Sequence, residues 1–301
     1  MERSEFLGAS MAGLGSLILP VSHLSSLTAK HSLRFHFVTD MHLPETPPAE
    51  VYRRFIKKLK ENRVDFILNG GDSICDALKA TPGSIDGQWK SYASFLNEIS
   101  LPVHGCLGNH DIEKWELTSY TGSNPTEEKS RAVKEMGMPH RYYRFKRENW
   151  HFIVLDSSTY VKGGYEARLD DEQFSWLRNE LSKIPSNEHV LILSHIPLFS
   201  ACYRHYLKGD PKGIFPKIES RLLHQDGYAI TELFSRYANI RLCLSGHLHM
   251  QEKIEYKGLP YYCLGAVCGN MWKGEFNGFV PAFFTIELVG NGAVKLSRTD
   301  F

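Results

Sequence analysis

Eight side chains in this sequence offer the chemistry of a metal centre: Asp40, His42, Asp72, Asn109, His110, His195, His247 and His249. They fall in short clusters, Asp40-Met41-His42, Gly70-Gly71-Asp72, Gly108-Asn109-His110-Asp111, Ser194-His195 and Gly246-His247-Leu248-His249. Carboxylate, imidazole and amide oxygen without thiolate suit a hard to borderline divalent ion such as Mn, Fe or Zn. The number suits two ions. One ion rarely takes more than four protein ligands, whereas seven candidates sharing a bridging carboxylate fill two shells and leave positions for water. Two ions roughly 3.5–4 Å apart can clamp the attacking and leaving oxygens of a phosphoester displacement. A hydroxide held between them would be the nucleophile, because coordination lowers the pKa of water from 15.7 to roughly 7. No serine or cysteine nucleophile is required.

Taken singly, each cluster has an ordinary explanation. Asp40 could cap a turn, Gly-Gly-Asp ends many strands, and His195 before Ile196-Pro197 could be a core histidine. Gly-His-x-His says more, since alternate residues point the same way on extended chain. The argument lies in the joint occurrence: every cluster follows an apolar run, at residues 33–39, 66–69, 102–107, 190–193 and 242–244. Open α/β sheets place ligands and chemistry at the carboxyl ends of their strands.

Between these runs lie helix-type patterns. Residues 48–62 carry Val51, Phe55, Ile56 and Leu59 on one face with proline near the start, and residues 87–99 carry Trp89, Tyr92, Phe95 and Leu96. Residues 171–184 and 228–237 read the same way, giving a β-α-β order and an at least partly parallel sheet. Residues 112–140 are polar and turn-rich and read as an excursion beside the central Asn109-His110-Asp111 loop. Residues 142–145 and 150–155 read as a β-hairpin. From residue 253 onward short strands at 254–256, 261–264, 283–288 and 293–296 follow one another without helices.

The bulk composition sets limits. At 301 residues and 42% hydrophobic, the chain can build a sizeable core. Its 35 Lys plus Arg against 34 Asp plus Glu give no global field for a nucleic acid polymer or an anionic membrane surface, so a small substrate is expected. Six cysteines without CxxC spacing do not make a disulfide scaffold, although a bridge is possible in an exported protein. Residues 1–30 are expected to be an export signal, which would make the protein periplasmic or extracellular, or else an N-terminal extension of a cytoplasmic protein, and residues 31–301 the catalytic body. The apolar, small-residue run at 6–20 is of signal-peptide length and too short for a membrane span. The start resembles a twin-arginine signal of the RRxFL type, with Arg3 followed by Ser4 where that type has a second arginine.

The ordered set Asp40-x-His42, Gly71-Asp72, Gly108-Asn109-His110-Asp111, His195 and Gly246-His247-Leu248-His249 resembles the motifs of the calcineurin-like metallophosphoesterases, over roughly residues 33–290. The resemblance implies a four-layer α/β/β/α sandwich of two mixed sheets with a dinuclear centre at the strand ends. It implies that Asp40, His42, Asp72 and His249 hold one ion, and Asp72, Asn109, His195 and His247 the other. His110 would contact the phosphate and protonate the leaving oxygen, and Asp111 would orient His110. Purple acid phosphatases have a tyrosine where this chain has Cys75, and Ser/Thr protein phosphatases have a DRG run where it has Asp72-Ser73-Ile74. The pattern is closer to the bacterial phosphodiesterase branch. The expected substrate is therefore a small phosphodiester or nucleotide-type diphosphate. The alternatives are a broad phosphomonoesterase and a non-catalytic metal-binding protein of the same fold. Residues 265–274 are expected near the pocket, with Trp272 either stacking on a substrate ring or packing on the domain.

Overall fold

Apolar residues on three consecutive parallel strands set the first half of the molecule. In the computed structural model, which describes residues 32–122, 124–205 and 219–301, β1 (Leu33–Val38) leads to α1 (Ala49–Glu61), β2 (Phe66–Asn69), α2 (Pro82–Ile99) and β3 (Val103–Gly105). The expected leader at residues 1–30 lies outside the described residues. Val38 pairs with Asn69, and Asn69 with Gly105, so these strands finish level on one edge.

The excursion at 112–140 carries the short α3 (Ser130–Glu135). The expected hairpin is β4 (Tyr143–Arg147) and β5 (Trp150–Val154), turning at Glu148 with φ +53°. A two-stranded ribbon follows, β6 (Ser158–Val161) with β7 (Gly164–Ala167), then α4 (Asp171–Lys183), β8 (His189–Leu193) and α5 (Gly227–Phe234). The last strands are β9 (Ile240–Ser245), β10 (Gln251–Tyr256), β11 (Leu259–Leu264), β12 (Ala282–Leu288) and β13 (Val294–Asp300).

Two mixed sheets result, ordered β13-β12-β1-β2-β3 and β10-β11-β9-β8-β5-β4. They face each other through aromatic rings. Phe35 and Phe66 stack at 4.9 Å, and both meet the edge of Phe152 from the other sheet, at 5.8 and 5.6 Å. Such pairs contribute roughly 0.5–1.5 kcal/mol each beyond the area they bury. Period-2 alternation then sends Leu191 and Leu193 of β8 into the inter-sheet core, and Val190 and Ile192 outward against Leu177 and Leu181 of α4 and Ile230 of α5. On the opposite face, Phe55 of α1 packs on Phe95 of α2 and Phe283 of β12. The layers are thus α/β/β/α, as expected.

Helix ends follow local chemistry. α2 begins earlier than its apolar pattern, because Pro82 occupies the first position and Thr81 Oγ1 accepts the Ser84 N–H at 3.4 Å. Asp170 caps α4 by accepting the Gln173 N–H at 2.8 Å. All six cysteines are free. No helix among the described residues is long and apolar enough to cross a membrane.

Candidate metal centre

The loops after β1 and β2 are stitched together: Asp40 N–H donates to Gly71 O (3.0 Å), His42 N–H to Asp72 O (2.9 Å) and Leu43 N–H to Ser73 O (3.0 Å). This pairing continues past the strand ends only because the backbone turns sharply. Asp40, His42 and Asp72 have φ of +51°, +41° and +50°, and His247 and His249 after β9 have +72° and +54°. Non-glycine residues seldom occupy this left-handed region, at a cost of order 1–3 kcal/mol each when tertiary contacts hold them there. Glycines make room beside them. A Cβ on Gly108 would lie 2.0 Å from Asp72 N, and one on Gly246 would lie 2.2 Å from Asp40 Oδ2.

The seven expected ligands converge: Asp40, His42, Asp72, Asn109 and His195 are buried, and His247 and His249 partly so. Around Asp40, Oδ1 lies 3.4 Å from His249 Nε2 and 4.0 Å from His42 Nε2. Asp72 Oδ2 lies 3.4 Å from His42 Nε2 and 3.2 Å from His195 Nε2, so one carboxylate oxygen touches both histidine sets. Asn109 Oδ1 stands 3.2 Å from His195 Nε2, and the His247 ring centre is 5.1 Å from that of His195. Potential ligand atoms of Asp72, His195 and His247 all lie within 4.8 Å of one another. The remaining carboxylate oxygens are also held: Asp40 Oδ2 accepts the His247 N–H at 3.0 Å and the Thr39 hydroxyl at 2.7 Å, and Asp72 Oδ1 accepts the His110 N–H at 2.8 Å.

Each histidine has one nitrogen anchored on a carbonyl. His42 Nδ1 meets Cys75 O (3.3 Å), His249 Nδ1 meets Gly269 O (2.7 Å), His195 Nδ1 meets Gly70 O (2.8 Å) and His247 Nε2 meets Arg221 O (3.0 Å). A nitrogen facing a carbonyl carries a proton, so in the neutral ring the other nitrogen is a lone pair, the form a metal ligand takes. The Nε2 atoms of His42 and His249 then face each other at 3.1 Å as two acceptors. Such a contact needs a positive charge beside it. One source is a proton on His249, where burial opposes the charge but the neighbouring Asp40 carboxylate overcomes it and raises that ring well above its ordinary pKa. The other is a divalent metal in its place, which the nitrogen and oxygen donors also suit. Burial, the largest influence, lowers His42 to about 4 and His247 to about 3, keeping both imidazoles neutral. For Asp72 burial works toward the acid, but His195, His110 and His42 outweigh it and hold the carboxyl well below its usual range.

His110 is less buried and faces the cavity. Its expected partner was Asp111, and here the structure corrects the sequence reading. Asp111 Oδ1 accepts the Ser73 and Ile74 N–H groups at 2.8 and 3.2 Å, and Oδ2 accepts that of Gly108 at 2.9 Å. It ties two ligand loops together and does not touch the imidazole. The carboxylate beside His110 is Asp76, with Oδ1 3.5 Å from Nδ1. For His110 burial favours the neutral ring, but Asp72 and Asp76 overcome it and raise the pKa.

Above the ligands lies a cavity of about 370 Å³, within the size range of small-ligand sites. Its rim includes Asn270 and Met271, from the stretch 265–274 expected near the pocket, and Tyr165, Arg221, Leu222 and Phe276, which the motif spacing could not single out. Of the two expectations for Trp272, packing is correct. Trp272 is buried against Tyr52 and Phe55, and its indole N–H donates to His42 O at 3.2 Å.

Comparison with known proteins agrees with this arrangement. A family model described as calcineurin-like phosphoesterase matches residues 33–251. The chain is 26% identical, over 88% of its length and 91% of the relative's, to a 3′,5′-cyclic-nucleotide phosphodiesterase of Nostoc sp. strain PCC 7120. It is 22% identical, over 86% of both chains, to a 3′,5′-cyclic adenosine monophosphate phosphodiesterase of Haemophilus influenzae. Among solved structures, a dimetal phosphatase from Danio rerio superposes with a TM-score of 0.59 at 16% identity, over 88% of this chain and 98% of that one, a likeness of fold.

Proposed function

Because the chain belongs to the calcineurin-like phosphoesterase family, we propose that this phosphoester hydrolase acts through two divalent ions on small phosphodiesters, cyclic nucleotides and nucleotide-linked diphosphates among them. The observation that carries the two-ion reading is Asp72 Oδ2, placed within 3.4 Å of a histidine nitrogen from each set. Asp40, His42 and His249 with Asp72 would hold one ion; Asn109, His195 and His247 with Asp72 would hold the other. Their oxygen and nitrogen donors suit Mn, Fe or Zn. When bound, the ions supply Lewis acidity, lowering the pKa of a water and offsetting phosphoryl charge.

The chain's own groups do the rest. Asp72 and Asp40, fixed by backbone N–H donors, keep the ligand set from rotating. His110 turns Nδ1 toward Asp76, so its Nε2 is the atom placed to give a proton to the leaving oxygen. The diester preference is supported by the two bacterial relatives, both cyclic-nucleotide phosphodiesterases that match over most of their length. A polynucleotide substrate is disfavoured by the balanced charge.

The test uses protein stripped of metal and reloaded separately with Mn, Fe or Zn, comparing bis(p-nitrophenyl) phosphate with p-nitrophenyl phosphate. Metal-dependent turnover with the diester favoured at least tenfold in kcat/KM, about 1.4 kcal/mol, is expected. A monoester preference in every metal would replace this reading with a phosphomonoesterase.

A further inference from the structure

One wall of the cavity takes no part in the chemistry above, yet it is built with care. Met271 is an exposed large apolar side chain, and it stands on a left-handed backbone (φ +49°) followed by another at Trp272 (φ +66°). The turn is braced. Asn270 N–H donates to Gly274 O (2.9 Å), Trp272 N–H to Cys268 O (2.6 Å) and the Trp272 indole to the carbonyl of His42. Beside it, Phe276 is paired with Phe279 through both backbone groups, packs with Leu222, Leu248 and Met250, and presents its ring 5.7 Å from that of His249. A thioether and an aromatic ring thus line the same cavity as the ligands.

The cavity is also lined by polar groups, Glu219, Asn270 and Arg221 among them, and the arginine is already engaged. The Arg221 guanidinium donates to Glu116 Oε1 at 2.6 Å and Gly163 O at 3.1 Å and lies over the Tyr165 ring, so its charge is matched before any substrate arrives. An apolar surface beside the ligands is offered by Met271 and Phe276. We infer that Met271 and Phe276 form the surface on which the planar base of a nucleotide substrate lies while its phosphate sits at the metal centre. The inference rests on the phosphoester-binding role proposed above and adds the group that is read. Flat contact with a thioether and a phenyl ring favours any base over none and distinguishes poorly between bases.

The test is calorimetric titration of the Mn-loaded protein with AMP, ribose 5-phosphate and inorganic phosphate. AMP is expected to bind at least about tenfold tighter than ribose 5-phosphate. Met271→Ala, at an exposed position, and Phe276→Leu, which keeps the apolar packing but removes the ring, should each weaken AMP at least about fivefold and leave ribose 5-phosphate and phosphate unchanged. Equal affinity for AMP and ribose 5-phosphate in the parent protein, or equal weakening of both in the variants, overturns the inference. The readout is binding, so a failure to hydrolyse diesters would count against the proposed reaction and not against this surface.

Discussion

Gly108→Ala adds one methyl group to a backbone that could otherwise accept it, since Gly108 has φ −91° and ψ 168°, open to any residue. The effect is therefore steric. The new Cβ would lie 2.0 Å from Asp72 N and 2.1 Å from Asp72 Oδ1, where real Cβ atoms keep at least 3.0 Å, so Asp72 or Gly108 must move by about 1 Å. Neither has slack: Asp72 O accepts from His42, Asp72 Oδ1 accepts from His110, and Gly108 N–H donates to Asp111. The displacement falls on the carboxylate shared by both histidine sets. A misplacement of about 1 Å costs on the order of 100-fold in rate, or about 2.7 kcal/mol of activation free energy. The assay is kcat/KM on bis(p-nitrophenyl) phosphate with metal content measured by inductively coupled plasma mass spectrometry. Gly83→Ala is the control, because nothing lies within 4 Å of its Cβ and it sits in the first turn of α2. It should keep full activity and gain up to about 1 kcal/mol of stability. A Gly108→Ala enzyme with turnover within threefold of the parent and full metal content would refute the reasoning.

Two further outcomes follow from carboxylate and histidine placement. Asp76→Asn should lower kcat at unchanged metal content and thermal stability, whereas Asp111→Asn, which sets an amide NH₂ against backbone N–H donors, should lose about 1–3 kcal/mol of stability and shed metal; the reverse pattern would restore Asp111 as the partner of His110. His36 is fully buried between Leu59 O and Thr285 Oγ1, and burial lowers its pKa to about 4. The unfolded chain takes up this proton below about pH 6.5 and the folded chain does not until about pH 4, so its contribution is complete above 6.5 and declines as pH falls toward 4. The decline amounts to about 3 kcal/mol at 1.36 kcal/mol per pH unit. Urea unfolding of the parent against His36→Gln between pH 7.5 and 4.5 should show the variant flatter by roughly that amount, and parallel curves would contradict the assignment.

The ligand clusters were legible because each polar group interrupts a strand that is otherwise apolar, as where Leu107-Gly108 gives way to Asn109-His110. What escaped was whatever depends on contacts across the fold. Asp111 follows His110 in sequence, but a turn sends its carboxylate back to Ser73 and Ile74, and Asp76, distant by 34 positions, arrives instead. The β6–β7 ribbon gave no clear pattern, since Ser158, Thr159, Gly163 and Gly164 read as turn chemistry. The helix expected at residues 87–99 begins at Pro82, because Thr81 and Pro82 start it ahead of its apolar stripe. For Trp272, composition could not choose between a substrate ring and the carbonyl of His42; only the packing of α1 decides that.

The left-handed backbone shared by Asp40, His42, Asp72, His247 and His249 bears on how the centre comes into being. None of these residues would hold such a conformation in an isolated peptide, and they come from segments about 200 positions apart. The site therefore has no local precursor: it exists only after both sheets have docked and the strand-end loops have paired. Metal capture is a late event in biogenesis, coupled to the native topology as a whole. Bound ions act as ligands of the folded state alone, adding to its stability by mass action in proportion to the logarithm of their free concentration. Removing the metal is therefore expected to lower the thermal stability of the chain together with its activity.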